Sequence, residues 1–406
     1  MPRGVATAFA CLLFVALLTP TGAAAKLRDV LYVGNNWDGT AHVVDAKTFE
    51  VLDRFNIVPD LEERLREINS SPIDLPLFLG VRTLVGEGHD QFVDDMFSSP
   101  DGRTVYVSRP SLADVVAIDL KTGTIDWRFE VAGSRADHMA ISPDGKKVLV
   151  SASTGGVVHE IDTRTGKQSG QFNSGDQPHE NNYSLDGKLI YHASIGSVFT
   201  PTDQPALDSL KGDRIFQIVD AKTLEIKRRI VMGPKMEEFG RPGMSSAVRP
   251  MTLSPNERFL YFQLSFFHGF VEYDLKKDKV TRVADLPISE ETQNLPRELY
   301  LLDSAHHGLT MNPEGTRLCV AGTMSDYGAI VSRKSFGYRI AAHGGKPYWS
   351  TNDGTGKYCF ISFSGDDRVA VISYKKRKEI ASINVGDHPQ RMRMGTIRPG
   401  LIQGRD

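Results

Sequence analysis

One phrase recurs along this 406-residue chain and constrains the fold more than any other feature. DHMAISPDGKKVLVSAS begins at Asp137 and HGLTMNPEGTRLCVAG at His307. Further copies are DDMFSSPDGRTVYVSR from Asp94, HENNYSLDGKLIYHAS from His179 and RPMTLSPNERFLYFQL from Arg249. Each reads as a short strand, a tight polar turn and a second strand. Self-similarity at a period of about 40 residues is the mark of a propeller or repeat array.

A second phrase follows the first: an apolar residue, Asp, any residue, Lys or Arg, Thr, and then a strand. It appears as VVDAKTFEVLDRF at Val43, AIDLKTGTIDWRF at Ala117, EIDTRTGKQSGQF at Glu160 and IVDAKTLEIKRRI at Ile218. Asp caps such a turn through its own backbone, and Gly supplies positive φ where present. One repeat is therefore four strands. First strands start near Asp94, Asp137, His179, Arg249, His307, Tyr348 and Gln390. The opening hairpin at 43–55 is preceded only by LYVGNN (31–36), and the last first-strand, RMRMGT at 391–396, has nothing after it. Ring closure reconciles the two: the C-terminal strand completes the N-terminal blade, giving an all-β, seven-bladed propeller of four-stranded blades.

The propeller spans 26–400 as one domain, with a tail at 401–406 and insertions at 59–92, 195–214, 232–248 and 287–304. Helical spacing of apolar residues is found only in Leu61–Ile68. After Gly322 the sixth repeat lacks the Asp-Lys-Thr turn. Loops of this length inside a compact fold are usually functional or disordered. The insertions are expected to form a lid, and the stretch 233–250, with Lys235, Glu237, Glu238 and Arg241, leads straight into Arg249.

Residues 1–25 read as a signal peptide: Arg3, an apolar run from Val5 to Leu18, and a small-residue site at Ala23–Ala25. The run is short of the roughly 20 residues of a membrane span. Export to the periplasm or the exterior is expected, without a membrane span. The formal net charge of −2 gives no reason to expect a nucleic-acid partner. Two cysteines follow the signal, Cys319 and Cys359, in matching strands of neighbouring repeats. Packed sheets lie roughly 10 Å apart, beyond the ~7 Å limit between the Cα atoms of a disulfide. Two free buried thiols are therefore expected.

LYVGNN at Leu31 and the SPDG turns at Ser99 and Ser142 resemble the YVTN-repeat family of exported seven-bladed propellers, which is related in architecture to lactonase-like and amine-dehydrogenase-like propellers. The resemblance covers about 370 residues. It implies the fold but not an activity, because sites are grafted onto such folds.

In a propeller the first strand of each blade lines the central channel. Aligned on their turns, the seven phrases open with Asp94, Asp137, His179, Arg249, His307, Tyr348 and Gln390, all polar or ionisable. Asp95, His138, Glu180 and His306 flank that level, and His89 and His388 lie close by, so six of the 11 histidines gather there. Three chemistries fit. His89, His138, His179, His307 and His388 are candidate metal ligands, for copper, zinc, iron or calcium. His138, His179, His307, Tyr348 and Arg249 are candidate catalytic groups, imidazoles for acid–base work, a phenol as donor and a guanidinium for an oxyanion. Asp94, Asp137, Glu180, Arg241 and Gln390 are candidate substrate contacts. The third chemistry is binding without reaction.

His268, at the turn after the second strand of its repeat, is placed on the side away from the mouth. His42 and His159 read as packing residues, His192 as core. His343 lies near enough to Tyr348 to reach the mouth, and Trp349 is expected to line it. The leading expectation is an enzyme acting on a small polar or anionic molecule, by hydrolysis, elimination or oxidation. The alternative is a ligand- or protein-binding propeller of the cell envelope.

Overall fold

The computed structural model of the chain describes residues 1, 26–198, 207 and 210–402. The expected signal peptide, apart from Met1, lies outside the described residues, as do parts of the 195–214 insertion and of the tail. Seven four-stranded antiparallel sheets form the seven blades. The third is typical: Ala136–Ile141, Lys147–Ala152, Val157–Asp162 and Gln168–Asn173 run in sequence from the inner to the outer strand. In the first blade the inner strand is the last of the chain. Pro389–Ile397 pairs antiparallel with Arg28–Asn35, from Arg28 opposite Ile397 to Asn35 opposite Pro389. The expected closure is therefore the one the chain adopts.

Both phrases make local hydrogen bonds that explain their recurrence. In the SPDG turn, Ser142 Oγ donates to Asp144 Oδ1 at 2.7 Å and accepts from the Lys147 amide at 3.0 Å. Ser99, Ser184 and Ser254 repeat the pattern. In the second phrase, Asp45 Oδ1 accepts the amides of Lys47 and Thr48, both at 2.7 Å. Gly145 and Gly166 sit at φ of +70° and +67°, where a side chain is strained. The sixth blade is complete despite its missing turn motif, with outer strands Tyr327–Ser332 and Tyr338–His343 joined through Phe336 at positive φ.

The inner strands are not regular. In the third blade Ala136 faces Ala152 and Met139 faces Val150, so Asp137 and His138 together oppose one residue. The fourth and fifth blades do the same at His179–Glu180 and Arg249–Pro250. The seventh has its extra residue at Tyr348, and the first at Gln390–Arg391. A bulge of this kind bends the strand and re-aims side chains. It lets two consecutive residues of one strand serve one site.

Two expectations fail here. Cys319 and Cys359 form a disulfide across the sixth and seventh blades, with Cα atoms 6.5 Å apart. The general sheet spacing does not hold at this contact between blades. The pair lies in a cluster that mixes Ala321, Ala341, Ala342 and Ala370 with Ile330, Ile361, Phe363, Ile372 and Tyr374, and nearby a Cβ on Gly308 would meet the backbone of Ser350 at 3.0 Å. Helix is also more extensive than Leu61–Ile68. Leu61–Ser70 is followed by Asp74–Leu84, with shorter helices at Met232–Glu238 and Glu290–Gln293. DLPLFLGVRTL carries Pro76 and Gly80 and no polar stripe, which hid it. Its Phe78 and Val81 pack down while Leu77, Leu79 and Leu84 stay exposed. No helix among the described residues is long and apolar enough to cross a membrane.

The disulfide is directly testable. Alkylation under denaturing conditions should label neither Cys319 nor Cys359 before reduction and both after it. The Cys319→Ala/Cys359→Ala variant should lose about 3 kcal/mol in denaturant unfolding. Labelling of both thiols without reduction contradicts the pairing.

Candidate metal and small-molecule site in the axial channel

Residues at or just before the inner strands of six blades line one cavity in the channel, and in the third, fourth, fifth and seventh blades the bulge presents them. His138, His179 and His307, from the third, fourth and sixth blades, are buried, and each presents a ring atom within 4.8 Å of the others. Ring centroids are 3.6 Å apart for His138–His179, 5.6 Å for His179–His307 and 6.0 Å for His138–His307. His138 Nδ1 is 2.7 Å from Glu180 Oε2. If Nδ1 carries the proton and donates to the carboxylate, Nε2 is left with its lone pair, the usual arrangement behind a metal-ligating imidazole. Asn181 Nδ2 donates to the carbonyl of His138 at 3.2 Å and to Ser151 Oγ at 2.8 Å, and Ser151 Oγ donates to the carbonyl of His179 at 2.8 Å. The two bulges are thereby tied together. Tyr348 lies beside His307, with ring centroids 4.2 Å apart.

Charged groups surround the imidazoles. Arg135 Nη1 donates to Asp137 Oδ2 at 2.5 Å and Nη2 to Gln91 Oε1 at 3.2 Å. Arg249 donates through Nε to Ser265 Oγ at 3.0 Å and through Nη2 to the Leu302 carbonyl. Arg391 Nε donates to Asp94 Oδ2 at 3.3 Å, while Arg393 grips Asp95 with two bonds of 2.8 and 2.7 Å. Both guanidinium groups stack on the Trp349 indole, at 4.3 Å for Arg391 and 4.9 Å for Arg393. This stack divides the channel. Above it Asp94, Asp137, the three histidines, Arg249 and Tyr348 line a small cavity of about 30 Å³. Below it Glu180, Trp349 and Arg393 line a funnel of about 380 Å³ that opens at the other end.

Val85, Ile195, Val198 and Leu302, all from insertions, complete the lining of the cavity. Ile195, Val198 and Ala247 form an apolar cluster with Leu302 against it. Lys211 and Asp303 join two of the insertions through a buried ion pair of 2.7 Å. Three insertions thus contribute to the cavity lining, and a fourth, 232–248, adds only Ala247 to the apolar cluster beside it. That loop's helix packs on the outer strand Lys279–Asp285 instead. Lys235 pairs with Asp278, and Arg241 with Asp285 at 2.6 Å.

Burial dominates the electrostatics. It pushes His138, His179 and His307 well below the ordinary 6.5, helped by Arg391 for His138 and by the neighbouring imidazole of His307 for His179. All three are neutral at pH 7, the form that binds metals. Burial raises Glu180 to about 7 and Tyr348 to about 12. It also raises Asp94 to about 7, with Asp137 and Asp95 adding to the rise and Arg391 and Arg135 opposing it.

Several expected site residues lie elsewhere. His89 and His388 stack on Trp37 at 3.8 and 3.7 Å and are not in the histidine cluster. Gln390 accepts from Asn36 Nδ2 at 2.5 Å, and Arg241 is on the outside of the fifth blade. His343 is exposed at the end of an outermost strand. His268 is at the mouth end after all, because a second strand ends beside the start of its antiparallel first strand. Its Nε2 is 3.0 Å from the Tyr300 hydroxyl, and its ring is 5.6 Å from that of His306. His42, His159 and His192 have the structural roles expected, hydrogen-bonded to Asn35, the Ala132 amide, and Asn181 with Ser174 respectively. Arg135, Gln177, Arg391 and Leu302 were missed. Only Arg391, directly after an aligned residue, carried a signal that could have found it.

No protein-family model matches the chain, and no curated protein matches it in sequence. In structure, 1704 solved chains match, so the architecture alone does not select a function. One is hydrazine synthase of Kuenenia stuttgartiensis, with a TM-score of 0.58, 17% identity, and coverage of 89% of this chain and 99% of that one. This is a likeness of fold.

The lowered histidines have a thermodynamic consequence. The unfolded chain takes up protons below about 6.5 that the folded site refuses, so stability is full above 6.5 and falls as pH drops below it. In protein stripped with a chelator, His307→Gln should flatten the slope of unfolding free energy between pH 6.5 and 5 by up to about 1.4 kcal/mol per pH unit. An unchanged slope would mean that His307 protonates freely in the fold.

Proposed function

We propose that this propeller is an exported, metal-dependent enzyme that acts on a small polar or anionic molecule in its axial channel. The observation that carries the reading is the set of three buried, neutral imidazoles from three blades, one of them backed by a carboxylate. A solvent-filled channel needs no such convergence. Three imidazoles favour zinc, copper or iron over calcium, which takes six to eight oxygen ligands. When bound by His138, His179 and His307, such a metal supplies Lewis acidity beside Asp94, Asp137 and Tyr348.

The chain's own groups have distinct tasks. Asp94, poised near neutrality, accepts or returns a proton. Tyr348 stays protonated at pH 7 and donates a hydrogen bond to developing negative charge. Arg249 and Arg135 hold anionic groups, and the apolar lid excludes bulk water, which strengthens every charge interaction below it. Hydrolysis, elimination and oxidation all remain consistent with these groups. Export rests on the N-terminal sequence, with the disulfide in keeping with an oxidising compartment. Membership of the YVTN-repeat family rests on LYVGNN and the SPDG turns.

A ligand- or protein-binding propeller without catalysis is the second reading, favoured by the small volume of the cavity. Elemental analysis of the purified protein tests the metal. About one equivalent of zinc, copper or iron per chain is expected, falling at least about tenfold in His307→Ala. Well under one equivalent in wild type after metal reconstitution, or no change in the variant, rejects it.

A further inference from the structure

Below the Trp349 floor the channel opens into the funnel of about 380 Å³, which none of the three histidines lines. Counted from the opening residue of each inner strand, the fourth residues are Phe97, Ala140, Asn182, Thr252, Thr310, Thr351 and Arg393. Asn182, Thr252, Thr310 and Thr351 come from four consecutive blades, and all four line the funnel. Each stands opposite the third residue of its second strand: Tyr191, Tyr261, Cys319 and Phe360. They therefore form a polar ledge at one register. Threonine is common in strands, but the sheets do not require a polar residue here. The second and third blades place Phe97 and Ala140 at the same register, opposite Tyr106 and Leu149.

The charged groups of the funnel are already paired. Arg393 grips Asp95 with both arms of its fork and packs on Phe97 and Trp349. Glu180 meets His138 Nδ1 through Oε2 at 2.7 Å and accepts from Asn182 Nδ2 through Oε1 at 3.2 Å. Glu257 Oε1 accepts the Leu185 amide at 2.6 Å. The neutral groups of the ledge keep capacity to spare. Thr252 Oγ1 accepts the Met311 amide at 3.3 Å and Thr310 Oγ1 accepts Asn352 Nδ2 at 3.2 Å, so each hydroxyl retains its own proton to donate. Among the described residues, no side-chain hydrogen bond reaches Thr351 Oγ1 or Asn182 Oδ1. All four residues are partly exposed, so a ligand in the funnel can touch them. Met251, Leu253, Leu309 and Met311 line the same wall. Neutral donors and acceptors interleaved with apolar side chains match a molecule that carries hydroxyl groups on a hydrocarbon frame.

We propose that this far end of the channel is a second binding site, for a neutral, hydroxyl-rich molecule of monosaccharide size, a sugar or a polyol, held along the ledge of Asn182, Thr252, Thr310 and Thr351. The volume lies within the roughly 300–1,000 Å³ of small-molecule sites. Paired charges leave no anchor for an ionic ligand, whereas a ledge of hydroxyls discriminates against an analogue without them. The inference goes beyond the proposed function, because the Arg391–Trp349–Arg393 stack separates this site from the histidines.

The full chain is titrated calorimetrically with D-glucose, D-galactose and sorbitol, with cyclohexanol as the control that has the frame but a single hydroxyl. We expect saturable binding of one molecule per chain for at least one of the three, and weaker or no binding of cyclohexanol. Thr351→Val removes a hydroxyl that the fold does not use, and should weaken binding about fivefold at an unchanged unfolding midpoint. Thr252→Val combined with it should weaken binding further. His307→Ala should bind the same sugar as wild type does, so loss of the metal reading and loss of this one are separate results. Absence of saturable binding for all three probes overturns the proposal. Cyclohexanol binding as tight as the best probe, or an unchanged affinity in Thr252→Val/Thr351→Val, also overturns it.

Discussion

The pairing of the last strand with the first is the contact on which the rest of this structure depends. Pro389–Ile397 contributes the inner strand of a blade whose other three strands come from the first 56 residues of the chain. It closes the ring, and it also delivers Arg391 and Arg393 to the axis, opposite Asp94 and Asp95 of the next blade. Closure and the floor of the site are therefore one event. A chain lacking that strand would lose the edge pairing and the cationic stack on Trp349 together.

Around that floor the channel balances opposite demands. Burial drives imidazoles towards neutrality and carboxyl groups towards protonation. Arg393 with Asp95 and Arg135 with Asp137 answer part of this by direct pairing. Arg391 is left with a loose contact to Asp94 and an open fork. Unmet hydrogen bonds and shifted titrations of this kind cluster at functional sites.

The scaffold was legible in the sequence because its signals are local. Ser142 with Asp144 and Asp45 with Lys47 close turns within five residues, so each repeat announces itself. The level of the site was legible for the same reason, since counting from those turns places Asp137, His179 and His307 together. What was not legible depends on contacts between blades. The approach of Cys319 to Cys359 depends on how two blades pack, through residues distant in sequence. The stacking of His89 and His388 on Trp37 requires the closed ring. Arg391 was hidden by the bulge, which makes the residue after the aligned position as important as the aligned one. The mouth-side placement of His268 follows from simple antiparallel geometry and was misread at the sequence level.

The central claim is that the inner strands of three blades converge on one axial site built from His138, His179 and His307. Anomalous diffraction from crystals of the metal-loaded protein tests it most directly. The account predicts one strong peak at about 2.0–2.2 Å from a nitrogen of each of the three imidazoles. A peak elsewhere on the propeller, or one bound by fewer than two of these histidines, would contradict it.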